Sequence, residues 1–277
     1  MNIKIASVAL AIGTCMGAVL APSAAFGHVL IAGDNFNSYA SGNLSGANGG
    51  TGWGSAWGDT SPVNSIVTTT VSGDSPMSGQ ALRITGEASD AATRKLGAMV
   101  SDNVIIRFDF QFDAGSITNN DFLGLWFGSS TGPNIGLKAN CGGPPAPSSC
   151  TADLFARTSG FDSGGTIQDI ALGTTYSLMG YLQKTGNSAV YNRIDLWVNP
   201  TADELMNLTG SDVFDTGAST ISSFNLVGFR TANLTGDDAV LVDNLSLSKV
   251  PEPGSLALVG LALAGVAAVR RRTARPS

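Results

Sequence analysis

The chain is dominated by short runs in which hydrophobic and polar positions alternate, bounded by Gly, Asn, Asp and Ser. No long stretch has helical periodicity, and only residues 201–208 predict a helical turn. Strands are predicted over residues 29–36, 65–71, 80–85, 94–100, 104–112, 122–127, 135–139, 154–157, 176–184, 189–199, 224–231 and 239–248. Strands with this spacing and polar turns predict a single all-β domain, a sandwich or a barrel.

Alternation also assigns the faces of two strands. The inward positions are Ile106, Phe108, Phe110 and Phe112 in one strand and Ile194, Leu196 and Val198 in the other. The outward positions are Arg107, Asp109 and Gln111, and Arg193, Asp195, Trp197 and Asn199. An aromatic ring among such planar polar groups predicts a carbohydrate-binding surface around Trp197, since sugar ring faces stack and hydroxyls pair. The alternative is an ordinary solvated sheet face with one partly covered Trp.

A second pair of aromatic residues, Trp53 and Trp57, lies in a glycine-rich passage. Four residues apart in an extended chain, the two rings fall on one side and form a candidate carbohydrate platform. The alternative is that they cover an edge of the hydrophobic core.

The first 27 residues have the pattern of a secretory signal peptide. Lys4 supplies the positive charge, residues 5–20 are apolar, and Ala25-Phe26-Gly27 fits a cleavage site before His28. Residues 23–25 are a competing cleavage site. Cys15 would suit a lipoprotein, but Thr14 stands where Gly or Ala is preferred.

The last residues, 250–277, combine three features in order. Pro251-Glu252-Pro253 is followed by sixteen uncharged residues, 254–269, and by Arg270, Arg271 and Arg272. As a helix the uncharged run spans about 24 Å, slightly less than a hydrocarbon core of about 30 Å. The arginines belong on the cytoplasmic side, which places the body, residues 28–249, outside the cytoplasm.

This tail resembles the PEP-CTERM sorting signal of Gram-negative bacteria, which exosortases recognise. The resemblance implies export across the inner membrane with signal peptidase and an exosortase as partners, transient anchoring in that membrane, and a final location in the cell envelope, at the surface or in the extracellular matrix. The alternative is an ordinary C-terminal anchor.

The net charge of the body argues against some classes of binding partner. Of the 15 basic residues of the chain, 10 lie between residues 28 and 250, against 20 acidic residues. This excess of acid argues against nucleic acid and anionic membranes as partners. The 35 glycines and the low charged fraction of 13% suit a strand-and-turn protein.

Four further residues carry candidate chemistry. Cys141 and Cys150 flank a turn-rich loop, and in an oxidising compartment they predict a structural disulfide. Asp34 and Asp243 fall on the apolar sides of the first and last strands, which are often neighbours in such folds. They could share a structural Ca²⁺, since carboxylates are hard oxygen ligands. The alternative is that each accepts hydrogen bonds from the local backbone.

The passages around Asp34-Asn35-Phe36, residues 49–53 and Val242-Asp243-Asn244-Leu245 resemble concanavalin A-like (LamG-type) jelly rolls. The resemblance implies an antiparallel jelly-roll β-sandwich and a structural or carbohydrate-associating role, with exopolysaccharide as a candidate partner. Glucanases of that superfamily have a strand with paired acids, which is lacking here, and no catalytic residues are predicted. The alternatives are a carbohydrate-active hydrolase and a purely structural adhesion or coat module.

Replacing residues 251–253 by alanine is expected to leave the tail uncleaved in a host that has an exosortase. The two prolines cannot lie inside a helix without losing hydrogen bonds, so they hold an extended, protease-accessible stretch. An immunoblot of membrane and extracellular fractions checks this, and normal processing of the variant would contradict it.

Overall fold

The computed structural model describes residues 28–59, 64–69, 77–118, 120–139, 153–160 and 164–250. In these ranges two antiparallel β-sheets pack face to face over one main hydrophobic core. The predicted signal peptide, Cys141, Cys150 and the tail from Pro251 onward lie outside the described residues. Among the described residues, no helix is long and apolar enough to cross a membrane.

Sheet A runs in the order β14-β13-β12-β7-β16-β5-β4-β2, with β1 also pairing with β16. Numbered in chain order, its strands are β1 (Val29–Asp34), β2 (Gly42–Asn43), β4 (Ser65–Thr68), β5 (Gln80–Thr85), β7 (Val104–Ala114), β12 (Thr175–Gln183), β13 (Arg193–Val198), β14 (Val213–Thr216) and β16 (Ala239–Lys249).

Sheet B runs in the order β11-β10-β9-β8-β15-β6-β3. Its strands are β3 (Gly58–Asp59), β6 (Ala88–Val100), β8 (Phe122–Phe127), β9 (Asn134–Lys138), β10 (Leu154–Arg157), β11 (Gly165–Ile167) and β15 (Phe224–Ala232). One helix of the described residues, α1 (Ala202–Asn207), follows β13 and begins with a capping box between Thr201 and Glu204.

The predicted antiparallel jelly-roll β-sandwich is confirmed. Each of the twelve predicted segments contains a strand, and alternation places the β7 side chains correctly, since the four inward residues from Ile106 to Phe112 all lie in the main core. Four strands were missed: β2, β3, β11 and β14. They are two to four residues long, too short for alternation to show.

The last strand, β16, lies in the interior of sheet A and changes neighbour halfway along. On one side it pairs with β7 over most of its length. On the other side residues 239–242 pair with β5, and residues 245–249 pair with β1. The predicted adjacency of the first and last strands is therefore confirmed. At the change of neighbour β16 has a bulge, where Asn244 adopts a left-handed backbone with φ of 50°.

The bulge corrects the predicted face of Asp243. Leu245 and Leu247 lie in the main core, whereas Leu241 packs in a separate cluster with Met77 and Ala81. The extra residue breaks the two-residue period between them. Asp243 consequently lies on the face of Leu241 and opposite Asp109 of β7, away from the core.

A fully buried ion pair connects the two sheets. The Asp34 carboxylate at the end of β1 contacts the Arg94 guanidinium of β6 at 2.5 Å, and both side chains are 0% exposed. Asp34 also accepts hydrogen bonds from the backbone N–H of Phe36, the hydroxyl of Tyr39 and the indole N–H of Trp57. Because each charge is hydrogen-bonded, the cost of burying it is largely offset.

We expect Arg94→Met to lower the free energy of unfolding by about 3–5 kcal/mol, because it leaves the Asp34 charge buried without its partner. The matched control is Arg193→Met, which removes the partner of Asp195. It should cost clearly less than Arg94→Met, because the Arg193 side chain is 33% exposed and Asp195 keeps hydrogen bonds from Gln183 and Ser211. Urea unfolding of both variants measures the difference, and equal losses would show that the buried pair has no special structural role.

Candidate functional site

A cleft of about 490 Å³ lies on the face of sheet A that points away from the core. Its polar lining comes from the neighbouring strands β7, β12 and β16 and from the end of β13: Arg107, Asp109, Ser177, Asn199, Asn244 and Ser246. Pro200 and Leu205, before and within α1, supply an apolar side. The volume is in the range typical of sites for small ligands.

Strand register brings these side chains together. Asp109 of β7 lies opposite Ser177 of β12 on one side and opposite Asp243 of β16 on the other. Ser246 lies opposite Arg107. Since alternate residues of a strand share a face, three neighbouring strands present their polar residues to the same cleft.

The β16 bulge completes the polar floor. The Asn244 side-chain amide donates to Asp109 Oδ2 at 2.7 Å, and the Ser177 hydroxyl donates to Asp109 Oδ1 at 2.5 Å. Asp109 is therefore held in place from both flanking strands. The alternation pattern did not reveal Asn244 as a site residue, although Asn is among the residues that tolerate a left-handed backbone best.

Asp243 is the unusual ionisable group here. It is 1% exposed, and its Oδ2 is buried with no hydrogen-bond partner among the described residues. Burial, and then the nearby charges of Asp109 and Asp34, raise its pKa to about 7, although backbone N–H groups of Asn244 and Ser78 oppose the rise. At and below neutral pH, Asp243 thus retains a proton beside Asp109.

The cationic side of the cleft is Arg107. Its guanidinium has one long hydrogen bond, 3.4 Å from Nη2 to the Leu205 carbonyl oxygen. Its Nε is buried without a hydrogen-bond partner among the described residues. Burial lowers the pKa of Arg107, and burial together with the Arg107 charge lowers the pKa of His28. The two causes that act on His28 favour its neutral form beside Arg107.

Of the residues predicted around Trp197, only Asn199 lines this cleft. Trp197 lies on the predicted outer face but is 1% exposed, because it packs with Leu205 and Leu208 and donates its indole N–H to the Thr209 carbonyl oxygen. The expectation of an open ring face is corrected, since the prediction took a single strand face to be free of neighbours. Asp195 is also buried, paired with Arg193 and accepting from Gln183 and Ser211.

Trp53 and Trp57 do come together, with ring centroids 5.9 Å apart. They do not form a platform. Trp57 is 2% exposed, and the Arg94 guanidinium lies 4.7 Å from the Trp53 ring and 5.4 Å from the Trp57 ring. Both rings cover the buried ion pair and the core beside it, as in the alternative interpretation.

The predicted calcium pair is arranged differently from the expectation. Asp34 and Asp243 come close enough to interact electrostatically, but the Asp34 charge is met by Arg94. Within the described ranges there is no group of three or more His, Cys, Asp or Glu residues that could hold a metal ion. A cation at Asp34 would have to displace the guanidinium.

Comparison with known protein families identifies a motif in the C-terminal sequence. Residues 249–272 match the family model of the PEP-CTERM protein-sorting motif. The chain carries a PEP-CTERM motif. The motif implies a bacterial protein that is exported, processed by an exosortase and sorted to the envelope or surface. Its match begins at Lys249, the last residue of β16, so the PEP-CTERM motif directly follows the sandwich. No curated protein matches the chain.

Several solved structures are similar to the sandwich at low identity. Alginate lyase Aly36B has 15% identity and a TM-score of 0.47, covering 80% of this chain and 98% of the lyase chain. An endo-β-1,4-glucuronan lyase from the fungus Trichoderma reesei has 11% identity and a TM-score of 0.45, with coverage of 75% and 94%. Domain 4 of the arabinanase AbnA from Geobacillus stearothermophilus, solved with arabinotriose, has 10% identity and a TM-score of 0.45, with coverage of 80% and 93%.

We expect Asp243→Asn to be more stable than the wild type at pH 8, by on the order of 2 kcal/mol, and to lose this advantage toward pH 4. The pKa of Asp243 is about 7 when folded and near 3.8 in its unperturbed state. The folded state therefore binds more protons between these values, and the Asp243 contribution to stability falls as pH rises from 4 to 7.

Urea unfolding at several pH values measures the difference between the variant and the wild type. Asp237→Asn, an exposed change just before β16, is the control. An Asp243→Asn curve parallel to the wild type would contradict the assignment of a retained proton.

Proposed function

We propose that this exported protein associates with carbohydrate through the cleft on sheet A, as a non-catalytic component of the envelope or of the exopolysaccharide layer of a Gram-negative bacterium. The observation that supports the proposal is the mixed lining of the cleft. Hydroxyl, amide, carboxylate and guanidinium groups share it with an apolar side formed by Pro200 and Leu205. Sugars need this combination, because they have apolar ring faces and a rim of hydroxyl groups.

The polar groups of the cleft can serve both as donors and as acceptors. Arg107 is a donor only, whereas Ser177, Asn199 and Ser246 supply hydroxyl and amide groups of both kinds. The Asp109 carboxylate is fixed by two hydrogen bonds, and its remaining lone pairs can accept from the hydroxyl groups of a ligand. A preorganised set of this type lowers the entropy lost when a ligand binds. We also propose that the sandwich is of the concanavalin A-like (LamG-type) class, which its two antiparallel sheets and the pairing of its first and last strands support.

A second candidate function, hydrolysis of a glycosidic bond, is favoured by one observation. Asp109 and Asp243 face each other across neighbouring strands, and Asp243 keeps a proton to about pH 7. A carboxylate beside a carboxylic acid is the chemistry of glycosidases. However, Asp109 lines the cleft whereas Asp243 is 1% exposed. A buried acid is poorly placed to protonate a leaving group, so we favour binding.

The test uses Ser246→Tyr, which fills the cleft, and Ser248→Tyr, which puts the same side chain two residues along β16. We expect Ser246→Tyr to weaken glycan binding at least ten-fold, equivalent to about 1.4 kcal/mol, and Ser248→Tyr to bind like the wild type. A glycan array followed by titration calorimetry measures both. Equal affinities would refute the cleft, and a wild type with no glycan affinity would favour the structural coat module.

Release of reducing ends from a glycan that the wild type binds distinguishes the second candidate. Binding without release supports the proposed function. Release without an unsaturated sugar product, lost in Asp109→Asn, would instead establish hydrolysis.

A further inference from the structure

A second depression, of about 210 Å³, lies on the outer face of sheet B and gathers three cations. The cations are Lys138 of β9, Arg157 of β10 and Arg230 of β15. Asn120, Phe122 and Asn233 also line the depression. These cations are three of only 10 basic residues in an acidic body. Because the three residues are far apart in sequence, their order along the chain does not predict a basic patch.

Strand register explains the cluster. Phe122 of β8 lies opposite Lys138 of β9 on one side and opposite Ala232 of β15 on the other. Arg230 is two residues before Ala232 and therefore shares its face. The Phe122 ring lies across Gly124, where an added Cβ would be 2.8 Å from the ring. Glycine thus allows a flat aromatic floor between the charged strands.

The arginines are ordered by this aromatic floor. Phe122 stacks with Phe155 at 5.3 Å between ring centroids. The Arg157 guanidinium lies 5.0 Å from the Phe122 ring, and that of Arg230 lies 5.6 Å from it. Arg157 is also held by its Nε, which donates to Asn134 Oδ1 at 2.8 Å. Ordered guanidinium groups lose little entropy when they bind an anion.

Three neighbouring carboxylates of the described residues accept hydrogen bonds from other groups. Asp121 accepts from Thr118, Asp153 accepts from the backbone of Ile170, and Asp215 accepts from Thr158. Among the described residues, no carboxylate forms an ion pair with Lys138 or Arg230. Glu87 approaches the rim, where it accepts from the backbone N–H of Asn233 at 3.2 Å. Burial, and then the charge of Arg157, lower the pKa of Lys138, which indicates that the cations repel one another.

We propose that this basic depression binds the carboxylate or sulfate group of an acidic polysaccharide. Guanidinium groups match the geometry of such anions and bind them with charge-assisted hydrogen bonds. The hydroxyl groups of a sugar residue suit the adjacent Asn120 and Asn233, and its ring suits the edge of Phe122. An acidic polymer with one charge per sugar is repelled less by the acidic body than double-stranded DNA, which carries one charge per about 1.7 Å of helix axis.

The site is independent of the cleft on sheet A, since the two lie on different sheets and share no residue. A glycan could therefore be bound on both faces. Loss of one site is expected to leave the other intact.

The test measures binding of a galacturonate hexamer and of its methyl ester to the purified protein. We expect the wild type to bind the acid form at least ten-fold more tightly than the ester. The double variant Lys138→Gln/Arg230→Gln should lose at least ten-fold in affinity for the acid form. The control Lys95→Gln/Lys249→Gln, which removes two exposed charges elsewhere, should lose less than two-fold. Ser246→Tyr should bind the acid form at this site like the wild type.

Thermal melting separates a binding defect from misfolding, because Lys138→Gln relieves repulsion and should keep or raise Tm. If the double variant melts early, Lys138→Gln alone repeats the binding comparison. Equal binding of acid and ester, equal losses in the double variant and the control, or tighter binding of double-stranded DNA at the same salt would each overturn the proposal.

Discussion

The sandwich depends on one buried ion pair, between Asp34 of the first strand and Arg94 of sheet B. Two unpaired charges in such a core would destabilise the fold, so nearby polar groups have to form hydrogen bonds with both side chains. The Arg94 fork accordingly bonds the Ser55, Asn48 and Gly49 oxygens as well as Asp34. The glycine-rich passage is thereby folded onto the pair, and glycine is needed there because backbone passes close to backbone. At Gly52, for example, an added Cβ would lie within 1.9 Å of the Ile31 carbonyl oxygen.

Much of the fold could be predicted from the sequence, because strand periodicity is a local property. Alternation identified β7, β8 and β10 with little or no error and assigned the inward face of β7. It was wrong at Asp243, because the β16 bulge shifts the inward-outward alternation by one residue, and the pattern of hydrophobic residues does not show a bulge. Alternation placed Trp197 on the correct face, but the expectation of an open ring was wrong, because Leu205 of α1 packs against that face of the strand.

The two candidate sites could not be predicted, because each depends on which strands are neighbours. Asp109, Ser177 and Asn244 meet through pairings that cross 68 and 135 residues of sequence. Lys138, Arg157 and Arg230 meet in the same way on sheet B. The net charge of the body is a sum over all its residues and does not reveal this local excess of positive charge. The sandwich thus presents two chemically different faces: a mixed polar cleft on sheet A and a basic, aromatic depression on sheet B.

The position of β16 has a mechanical consequence. Its last residue begins the sorting motif, and the strand is held by β7 on one side and by β5 and β1 on the other. A force that pulls on the C-terminal side of β16 would run along the strand and load its ladder of hydrogen bonds in shear. In shear the bonds share the force, whereas a strand at the sheet edge can be peeled away one bond at a time. The sandwich is therefore connected to its sorting motif through a strand whose hydrogen bonds resist a pulling force together.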